Sequence, residues 1–268
     1  MTESIRVEKD GEVTRLFMSR PEYYNAFNFD MIDRLACILV ELAVDKSVRG
    51  IIITGEGKAF CAGGDLKWVS EFPGGLSAGF HRLAASYHLA VMEIRRMNKP
   101  VIAAINGIAA GGGFSLALAC DFRVMEKSAT MRQAYTSNGL CVDGGGTFTL
   151  PRIVGLARAL EIVAFDTPIS SAQALSWGLV NRVVDDGKSL VEASALAHSL
   201  ADKSLISYGC VKQLLNDSFS NSFETHIEQE RMMLCACADG PDAREGLKAF
   251  VEKRKPIYNV KSGGHSSS

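Results

Sequence analysis

Two glycine-bearing segments, each placed between an apolar run and a helical pattern, constrain how this chain folds. Residues 60–65 (FCAGGD) follow the apolar run 50–54 (GIIIT), and residues 110–114 (AGGGF) follow the apolar run 101–105 (VIAAI). Short apolar runs of this kind are typical of strands in a sheet that is covered on both faces. The two strand–glycine–helix junctions therefore predict an α/β fold.

The apolar spacing elsewhere predicts further strands over 13–19 and 121–133, and long helices over 29–46 and 79–97. After about residue 147 the pattern is mostly helical, and strand signal remains only near 179–184. Residues 262–268 contain no apolar side chain. We therefore predict three parts: a core over 1–200, a C-terminal helical segment over 201–260 and a disordered tail over 261–268.

Composition is that of an ordinary globular protein, with 47% hydrophobic and 22% charged residues among 268. Lys and Arg number 29 against 30 for Asp and Glu, a net charge of −1. That balance gives no reason to expect nucleic acid or an anionic membrane as a partner. We find no apolar signal-peptide region and no run of the ~18 apolar residues that a membrane span needs. The sequence thus predicts a cytoplasmic protein.

The seven cysteines are an odd number, and most of them lie within apolar runs. This pattern predicts buried, reduced thiols rather than a disulfide framework. Cys235 and Cys237 are one residue apart and have no second pair to complete a zinc site. We therefore expect no metal.

The two glycine segments match neither the dinucleotide pattern G-x-G-x-x-G nor a phosphate loop that ends in Gly-Lys-Ser/Thr. Residues 113–117 (GFSLA) approach the serine-hydrolase elbow G-x-S-x-G, but Ala117 stands at its last position. One interpretation is that these glycines only allow tight turns. The other is that each turn points a free backbone N–H into one spot, where two such donors form an oxyanion hole.

Four stretches of the sequence resemble those of the crotonase superfamily, which comprises the enoyl-CoA hydratases and isomerases. They are residues 20–26 (RPEYYNA), 59–67 (AFCAGGDLK), 99–107 (KPVIAAING) with the glycines 111–113, and 244–256 (REGLKAFVEKRKP). The resemblance implies a crotonase-type spiral of strand-strand-helix units with a C-terminal helical trimerisation segment. It also implies a homotrimer or homohexamer and a CoA thioester as substrate. Coenzyme A is then part of the substrate, and no separate cofactor is expected.

The resemblance also assigns roles to individual residues. The backbone N–H groups of Gly64 and Gly112 would hold the thioester oxygen. Backbone near four positions would meet the adenine end of CoA, and two tail residues would reach the CoA of a neighbouring subunit: Ala26, Ala62, Asp65 and Leu66, then Phe250 and Lys253. Glu22 stands where relatives often have a basic residue, which removes one expected phosphate contact.

The sequence departs from the hydratase pattern at the two catalytic glutamates, whose positions hold Ser115 and Tyr135. Neither side chain replaces a carboxylate at neutral pH, so the ordinary two-glutamate hydration mechanism is not expected. Asp143 is the carboxylate left in this part of the chain. An aspartate there resembles epoxyphenylacetyl-CoA isomerases most. A single carboxylate suffices for isomerisation, because it can take a proton from one carbon and return it to another.

Two alternatives stay open. The first is an aryl-CoA dehalogenase or hydrolase with Asp143 as nucleophile and His88 as base. In the dehalogenases the matching aspartate is a nucleophile and a histidine base lies at the position of His88, although Tyr135 replaces their tryptophan. A non-catalytic CoA-binding scaffold would keep the glycines and need no Asp143. Two further histidines, His81 and His226, have no assigned role and are expected at the surface. The aromatic residues of 68–88 are candidates for the wall of an acyl pocket: Trp68, Phe72, Phe80 and Tyr87.

Overall fold

A computed structural model describes residues 3–258 of the chain. Within them the strands are β1 (Ile5–Asp10), β2 (Val13–Met18), β3 (Gly50–Gly55), β4 (Ala59–Cys61), β5 (Val101–Ile105), β6 (Ile108–Ala110), β7 (Phe122–Glu126), β8 (Thr130–Arg132), β9 (Ile169–Ser170) and β10 (Arg182–Val184). The helices are α1 (Phe29–Val44), α2 (Leu66–Ser70), α3 (Gly75–Arg96), α4 (Gly112–Ala119), α5 (Gly146–Val154), α6 (Leu156–Phe165), α7 (Ser171–Ser176), α8 (Ser189–Ala201), α9 (Leu205–Asp217), α10 (Phe223–Ala238) and α11 (Pro241–Val251).

In three successive strand pairs, the first strand lies in one sheet and the second strand lies in another. The six-stranded sheet has the order β1-β2-β3-β5-β7-β10, and the four-stranded sheet has the order β4-β6-β8-β9. β3, β5 and β7 each lie in the larger sheet, and the strand that follows each of them lies in the smaller one. Helices follow each pair, so the chain advances as strand-strand-helix units, as the resemblance implied. From β2 to β10 the neighbours in the larger sheet are parallel.

Both faces of the larger sheet are covered, which explains the continuous apolar runs. Alternate residues of β3, such as Ile51 and Ile53, belong to the main core that includes side chains of α1 and α3. Ile52, between them, packs instead with Ala193 and Ala197 of α8. Successive side chains of a strand point to opposite faces, so a strand buried on both sides has no polar alternation.

Most of the predicted elements are present, with one clear error and several omissions. The stretch 121–133 is not one strand: it forms β7 and β8, which lie in different sheets and are joined by a turn at 127–129. The short strands β4, β6 and β9, of two or three residues, and the strand β1 were not predicted. The predicted tail over 261–268 lies outside the described residues. No helix within residues 3–258 has the length and apolar character needed to cross a bilayer.

A buried ion pair between Lys212 and Asp121 connects α9 to the core. The Lys212 ammonium donates to the Asp121 carboxylate at 2.8 Å and to the carbonyl oxygens of Ile94 at 2.6 Å and Lys99 at 3.3 Å. The two side chains are only 6% and 14% exposed. Asp121 also accepts from the backbone N–H of Val101 at 2.8 Å, so this pair ties α9 to the start of β5.

We predict that Lys212→Met lowers the free energy of unfolding by about 3–5 kcal/mol, because it leaves the Asp121 charge buried without its partner. Urea unfolding at a fixed protein concentration measures the loss. The matched control is Lys255→Met, since the pair of Lys255 with Asp202 is 78% and 64% exposed and such pairs contribute ~0–1 kcal/mol. Equal losses in the two variants would contradict the proposed role of Lys212.

Candidate active site

A cavity of about 380 Å³ lies where the loop after β4, the first turn of α4, one face of α3 and the loop before α5 meet. Four of the five residues given a catalytic role from the sequence line it: Gly64, Gly112, Tyr135 and Asp143. They come from separate parts of the chain and meet because the β4–α2 and β6–α4 turns lie side by side. Most of the remaining lining is apolar, with Phe27 and Leu83 as examples.

The backbone N–H groups of both predicted glycine donors are free to bind a ligand. The Phe27 N–H donates to the Gly63 carbonyl at 2.8 Å, and the Phe27 carbonyl accepts from the Asp65 N–H at 3.0 Å. The Gly64 N–H, which lies between these two bonds, takes part in neither. Gly112 is the first residue of α4, where backbone N–H groups have no partner within the helix. Neither N–H has an acceptor among residues 3–258.

Glycine is required where the two turns touch. A Cβ atom on Gly63, whose φ is +96°, would lie 2.8 Å from the Gly112 nitrogen. A Cβ on Gly112 would lie 2.9 Å from Cε1 of Phe27, and one on Gly113 would lie 2.8 Å from Cβ of Cys61. Side chains here would push the two turns apart, and with them the two N–H groups.

Asp143 faces the cavity and is held by a histidine of α3. Its Oδ1 lies 2.6 Å from Nε2 of His88. The Asp143 and His88 side chains are 38% and 51% exposed, so the pair lies at the open side of the site. His88 does not itself line the cavity within the described residues; it reaches the site through Asp143.

Tyr135 and Ser115, which occupy the expected acid positions, bring no carboxylate to the site. Burial raises the pKa of the Tyr135 phenol above its usual value, so it remains a neutral hydrogen-bonding group at pH 7. Ser115 is 1% exposed, and its hydroxyl interacts with the Tyr87 and Tyr135 phenols without a hydrogen bond of standard geometry to any described residue.

A model of the enoyl-CoA hydratase/isomerase family matches residues 8–261. The chain belongs to the enoyl-CoA hydratase/isomerase family. It is 36% identical over 265 residues to the 1,2-epoxyphenylacetyl-CoA isomerase of Escherichia coli strain K12, a match that covers 97% of this chain and 100% of the relative. It is 35% identical to the 4-chlorobenzoyl coenzyme A dehalogenase-2 of an Arthrobacter species, over 93% and 91% of the two chains.

Solved structures of the family have the same fold. The enoyl-CoA hydratase from Polaromonas sp. JS666 superposes with a TM-score of 0.89 at 34% identity, covering 95% of this chain and 99% of the other. An enoyl-CoA hydratase from Bacillus anthracis gives 0.90 at 31% identity, over 97% and 100%. The chain therefore has the crotonase fold, as predicted.

The residues that the family resemblance assigned to CoA fall into two groups. Ala26, Ala62 and Asp65 lie in two adjacent loops, and Leu66 begins α2. The Ala62 N–H donates to the Tyr24 carbonyl at 3.0 Å and joins the two loops. The Asp65 carboxylate is already occupied: it caps α2 at the Trp68 N–H, 3.1 Å away, and accepts from Arg20 at 3.0 Å. Its backbone is bonded as well, since the N–H donates to the Phe27 carbonyl and the carbonyl accepts from the Val69 N–H, each at 3.0 Å.

Phe250 and Lys253 form the second group, and they do not line the cavity within the described chain. Phe250 is on α11 and 83% exposed, and Lys253 follows that helix with a φ of +54°. A role for them in binding CoA requires a second subunit, as the resemblance implied.

Sequence reasoning missed parts of the cavity wall. His81, expected to be a surface residue without a role, is exposed but lines the cavity. It precedes His88 by seven residues on α3, so the two histidines lie on one helix face. That spacing was the signal in the sequence that His81 shares the cavity side of the helix with His88. His226 was also expected at the surface, but its side chain is only 17% exposed and lies 3.5 Å from Glu230.

Two of the four aromatic residues expected in the cavity wall are found there. Phe80 and Tyr87 line the cavity, whereas Trp68 and Phe72 do not. The rings of Trp68 and Phe72 pack on each other with centroids 5.0 Å apart, and Trp68 also stacks on Phe29 at 6.4 Å. These contacts place Trp68 and Phe72 in packing between α1, α2 and the loop before α3.

The expectation of buried thiols is right for only part of the cysteines. All seven are free, but Cys61 and Cys120 alone are buried, and Cys141 is exposed in the cavity wall. Burial raises the pKa of the Cys61 and Cys120 thiols to about 12, which keeps them protonated and unreactive. Among residues 3–258 we find no cluster of side chains suited to a metal ion.

We predict that iodoacetamide at pH 8 modifies Cys141 and leaves Cys61 unmodified, because Cys141 is exposed to solvent and Cys61 is buried. Acetyl-CoA, a probe for the predicted CoA thioester, should slow modification of Cys141. The exposed Cys37 on α1 does not line the cavity and serves as the control. Peptide mass spectrometry over time measures each rate, and equal slowing at both cysteines would contradict ligand binding in this cavity.

Proposed function

We propose that the protein is an isomerase of acyl-CoA thioesters that shifts a double bond, or rearranges an enoyl-CoA, through an enolate. The observation that carries this proposal is the position of Asp143. It is the one carboxylate among the described cavity-lining residues, and it shares the cavity with the two unpaired glycine N–H groups. An oxyanion site and one proton-transferring group are the two things that such a reaction needs.

In the proposed reaction the thioester oxygen accepts hydrogen bonds from the N–H groups of Gly64 and Gly112. These bonds strengthen as negative charge moves onto the oxygen, so they lower the barrier to removing a proton next to the carbonyl or conjugated to it. One donor of this type typically contributes ~10²–10³ in rate. Because both donors are backbone groups, they need no titration and no rotamer change.

Asp143 would take the proton from one carbon and, after the double bond has moved, return it to another. Oδ1 is fixed against Nε2 of His88, so the other carboxylate oxygen remains for the substrate. The neutral Tyr135 phenol beside it supplies a hydrogen bond but no second base. This arrangement supports proton transfer by one carboxylate and gives no support to a two-carboxylate addition of water.

We predict that Asp143→Asn lowers the turnover rate at least ~10²-fold and leaves CoA thioester binding nearly unchanged, because the amide keeps the shape and loses the base. The assay incubates enoyl-, dienoyl- and aryl-CoA thioesters with the protein in deuterated water, and mass spectrometry follows the deuterium. Wild-type protein should exchange deuterium into product or recovered substrate. The control is Asp185→Asn, an exposed carboxylate paired with Lys127.

Unchanged isomerisation and exchange in Asp143→Asn would contradict the proposal. Attention would then turn to Tyr135 and His88 as proton carriers.

The contact between His88 and Asp143 favours a second candidate, nucleophilic substitution on an aryl-CoA. Asp143 would attack the ring carbon, form a carbon–oxygen bond and expel halide. Water activated by His88 would then hydrolyse the aspartyl ester. The 2.6 Å contact places a base beside the nucleophile, and the dehalogenase relative supports the class. This candidate requires a covalent aspartyl adduct, which His88→Gln should accumulate and isomerisation should never form.

A CoA-binding scaffold without activity is the third possibility. It would explain the glycines, but it leaves the cavity-facing Asp143 and its histidine contact without a role. A scaffold would bind CoA thioesters and exchange no deuterium.

We propose that the 201–260 segment assembles the protein into trimers or hexamers. Large apolar side chains are exposed along its helices, and α10 has no buried residue within the described chain. Exposed apolar surface of this extent is typical of an interaction site. Leu215, Phe223, Leu234 and Phe250 are between 66% and 83% exposed.

We predict a trimer or hexamer by light scattering. We also predict that Phe250→Ala weakens CoA thioester binding about tenfold, a loss of ~1.4 kcal/mol, because Phe250 would contact the ligand of the next subunit. Calorimetry measures the affinity, and light scattering of the variant separates lost contact from lost assembly. A stable, fully active monomer would contradict both expectations.

A further inference from the structure

Tyr87 on α3 lies between the two halves of the candidate site. It is 1% exposed and reaches the cavity wall, where its ring packs on that of Phe27 with centroids 5.0 Å apart. Phe27 in turn lies against Gly112, since a Cβ there would come within 2.9 Å of its Cε1. The ring of Tyr87 therefore packs on Phe27, and Phe27 packs on Gly112, one of the two proposed oxyanion donors.

The hydroxyl of Tyr87 makes a specific contact with the same glycine. It donates to the Gly112 carbonyl oxygen at 2.6 Å. Burial raises the pKa of this phenol well above 10, so the O–H remains a donor throughout the neutral range. Gly112 has no side chain to hold it, and this hydrogen bond fixes the residue whose N–H faces the cavity.

The same ring sets the position of Asp143 from the other side. Gly144, the next residue, has a φ of +63°, and a Cβ there would lie 2.5 Å from Cζ of Tyr87. The backbone of the 143–144 segment thus rests directly on the ring. His88, the neighbour of Tyr87 on α3, then holds the Asp143 carboxylate at 2.6 Å.

A buried phenol needs a hydrogen-bond partner in any protein core, and here that partner is the carbonyl of Gly112, the residue whose N–H faces the cavity. We propose that Tyr87 is a positioning residue, whose hydroxyl orients the Gly112 donor and whose ring sets the distance from that donor to the Asp143 carboxylate. The inference rests on the proposed isomerase function and extends it to a residue that does not itself exchange protons. A misplacement of about 1 Å in such a site costs up to ~10²-fold in rate.

The decisive variant is Tyr87→Phe, which removes the hydroxyl and keeps the ring. We expect kcat to fall about ten- to hundredfold, with KM within about twofold of wild type. A spectroscopic readout accompanies the kinetics: bound cinnamoyl-CoA, a conjugated thioester, should show a red-shifted absorption in wild-type protein because the donors polarise its carbonyl. That shift should shrink in Tyr87→Phe.

Tyr208→Phe is the matched control. Tyr208 is a half-buried tyrosine whose hydroxyl interacts with Asp121 and which lines a different cavity. The Tyr208→Phe substitution should leave kcat and the cinnamoyl-CoA spectrum unchanged. Circular dichroism and thermal unfolding establish that both variants fold.

A second variant tests the contact of the ring with the 143–144 segment. Gly144→Ala places a methyl group against the ring and the hydroxyl of Tyr87 and displaces Asp143. We expect it to lower kcat at least tenfold, and the cinnamoyl-CoA shift should shrink as well, because the methyl group also displaces the hydroxyl that orients Gly112.

Wild-type kcat and spectrum in a folded Tyr87→Phe protein would overturn the role of the hydroxyl. Wild-type kcat in Gly144→Ala would overturn the role of the ring. Should Tyr87→Phe not fold, kcat of a folded Gly144→Ala protein still decides whether the contact with Tyr87 matters for the reaction. The spectral measurement needs no turnover. A protein that shows the shift but exchanges no deuterium would therefore refute the isomerase function without refuting the positioning of Gly112.

Discussion

The close contact of two glycine turns is the constraint on which the rest of the site depends. β4 and β6 are parallel neighbours in the smaller sheet, so the turns that follow them leave the sheet at the same edge. Gly63 and Gly113 let those turns touch, because any side chain there would meet backbone atoms of the other turn. The contact brings two unpaired N–H groups to one cavity, and no side-chain chemistry is needed to create that positive potential.

In the proposed function, an oxyanion site made of backbone would leave the side chains of the cavity free to vary. It would polarise any thioester carbonyl, and the reaction that followed would depend on which proton carrier or nucleophile the neighbouring loops supply. In this chain the loop before α5 supplies Asp143 and Tyr135 supplies a hydroxyl, whereas Ser115 does not line the cavity within the described residues. Relatives of the chain are named as isomerase, dehalogenase and hydratase.

The parts of the fold that the sequence predicts are those whose signal is local. Continuous apolar runs identify β3 and β5 because both faces of the larger sheet are covered. The short strands of the smaller sheet, such as β4 and β6, have three residues each, too few for a period to emerge. The stretch 121–133 was predicted as one strand because the turn between β7 and β8 spans only residues 127–129 (KSA), too short a polar break to separate two strands by pattern. Likewise, nothing local shows that Phe80 on α3 lines the cavity whereas Phe72, in the loop before α3, packs on Trp68.

Helix α3 shows why contacts across the site could not be predicted from motifs alone. Tyr87 and His88 are consecutive, and consecutive residues of a helix point about 100° apart, so they reach different partners. Tyr87 turns inward to the Gly112 carbonyl, and His88 turns outward to the Asp143 carboxylate. One rigid helix therefore touches both the backbone donor and the carboxylate, although these lie 31 positions apart in the chain. In the proposed isomerisation, α3 would set the distance between the oxyanion donor and the proton carrier, and no feature of either glycine turn or of the loop before α5, taken separately, contains that distance.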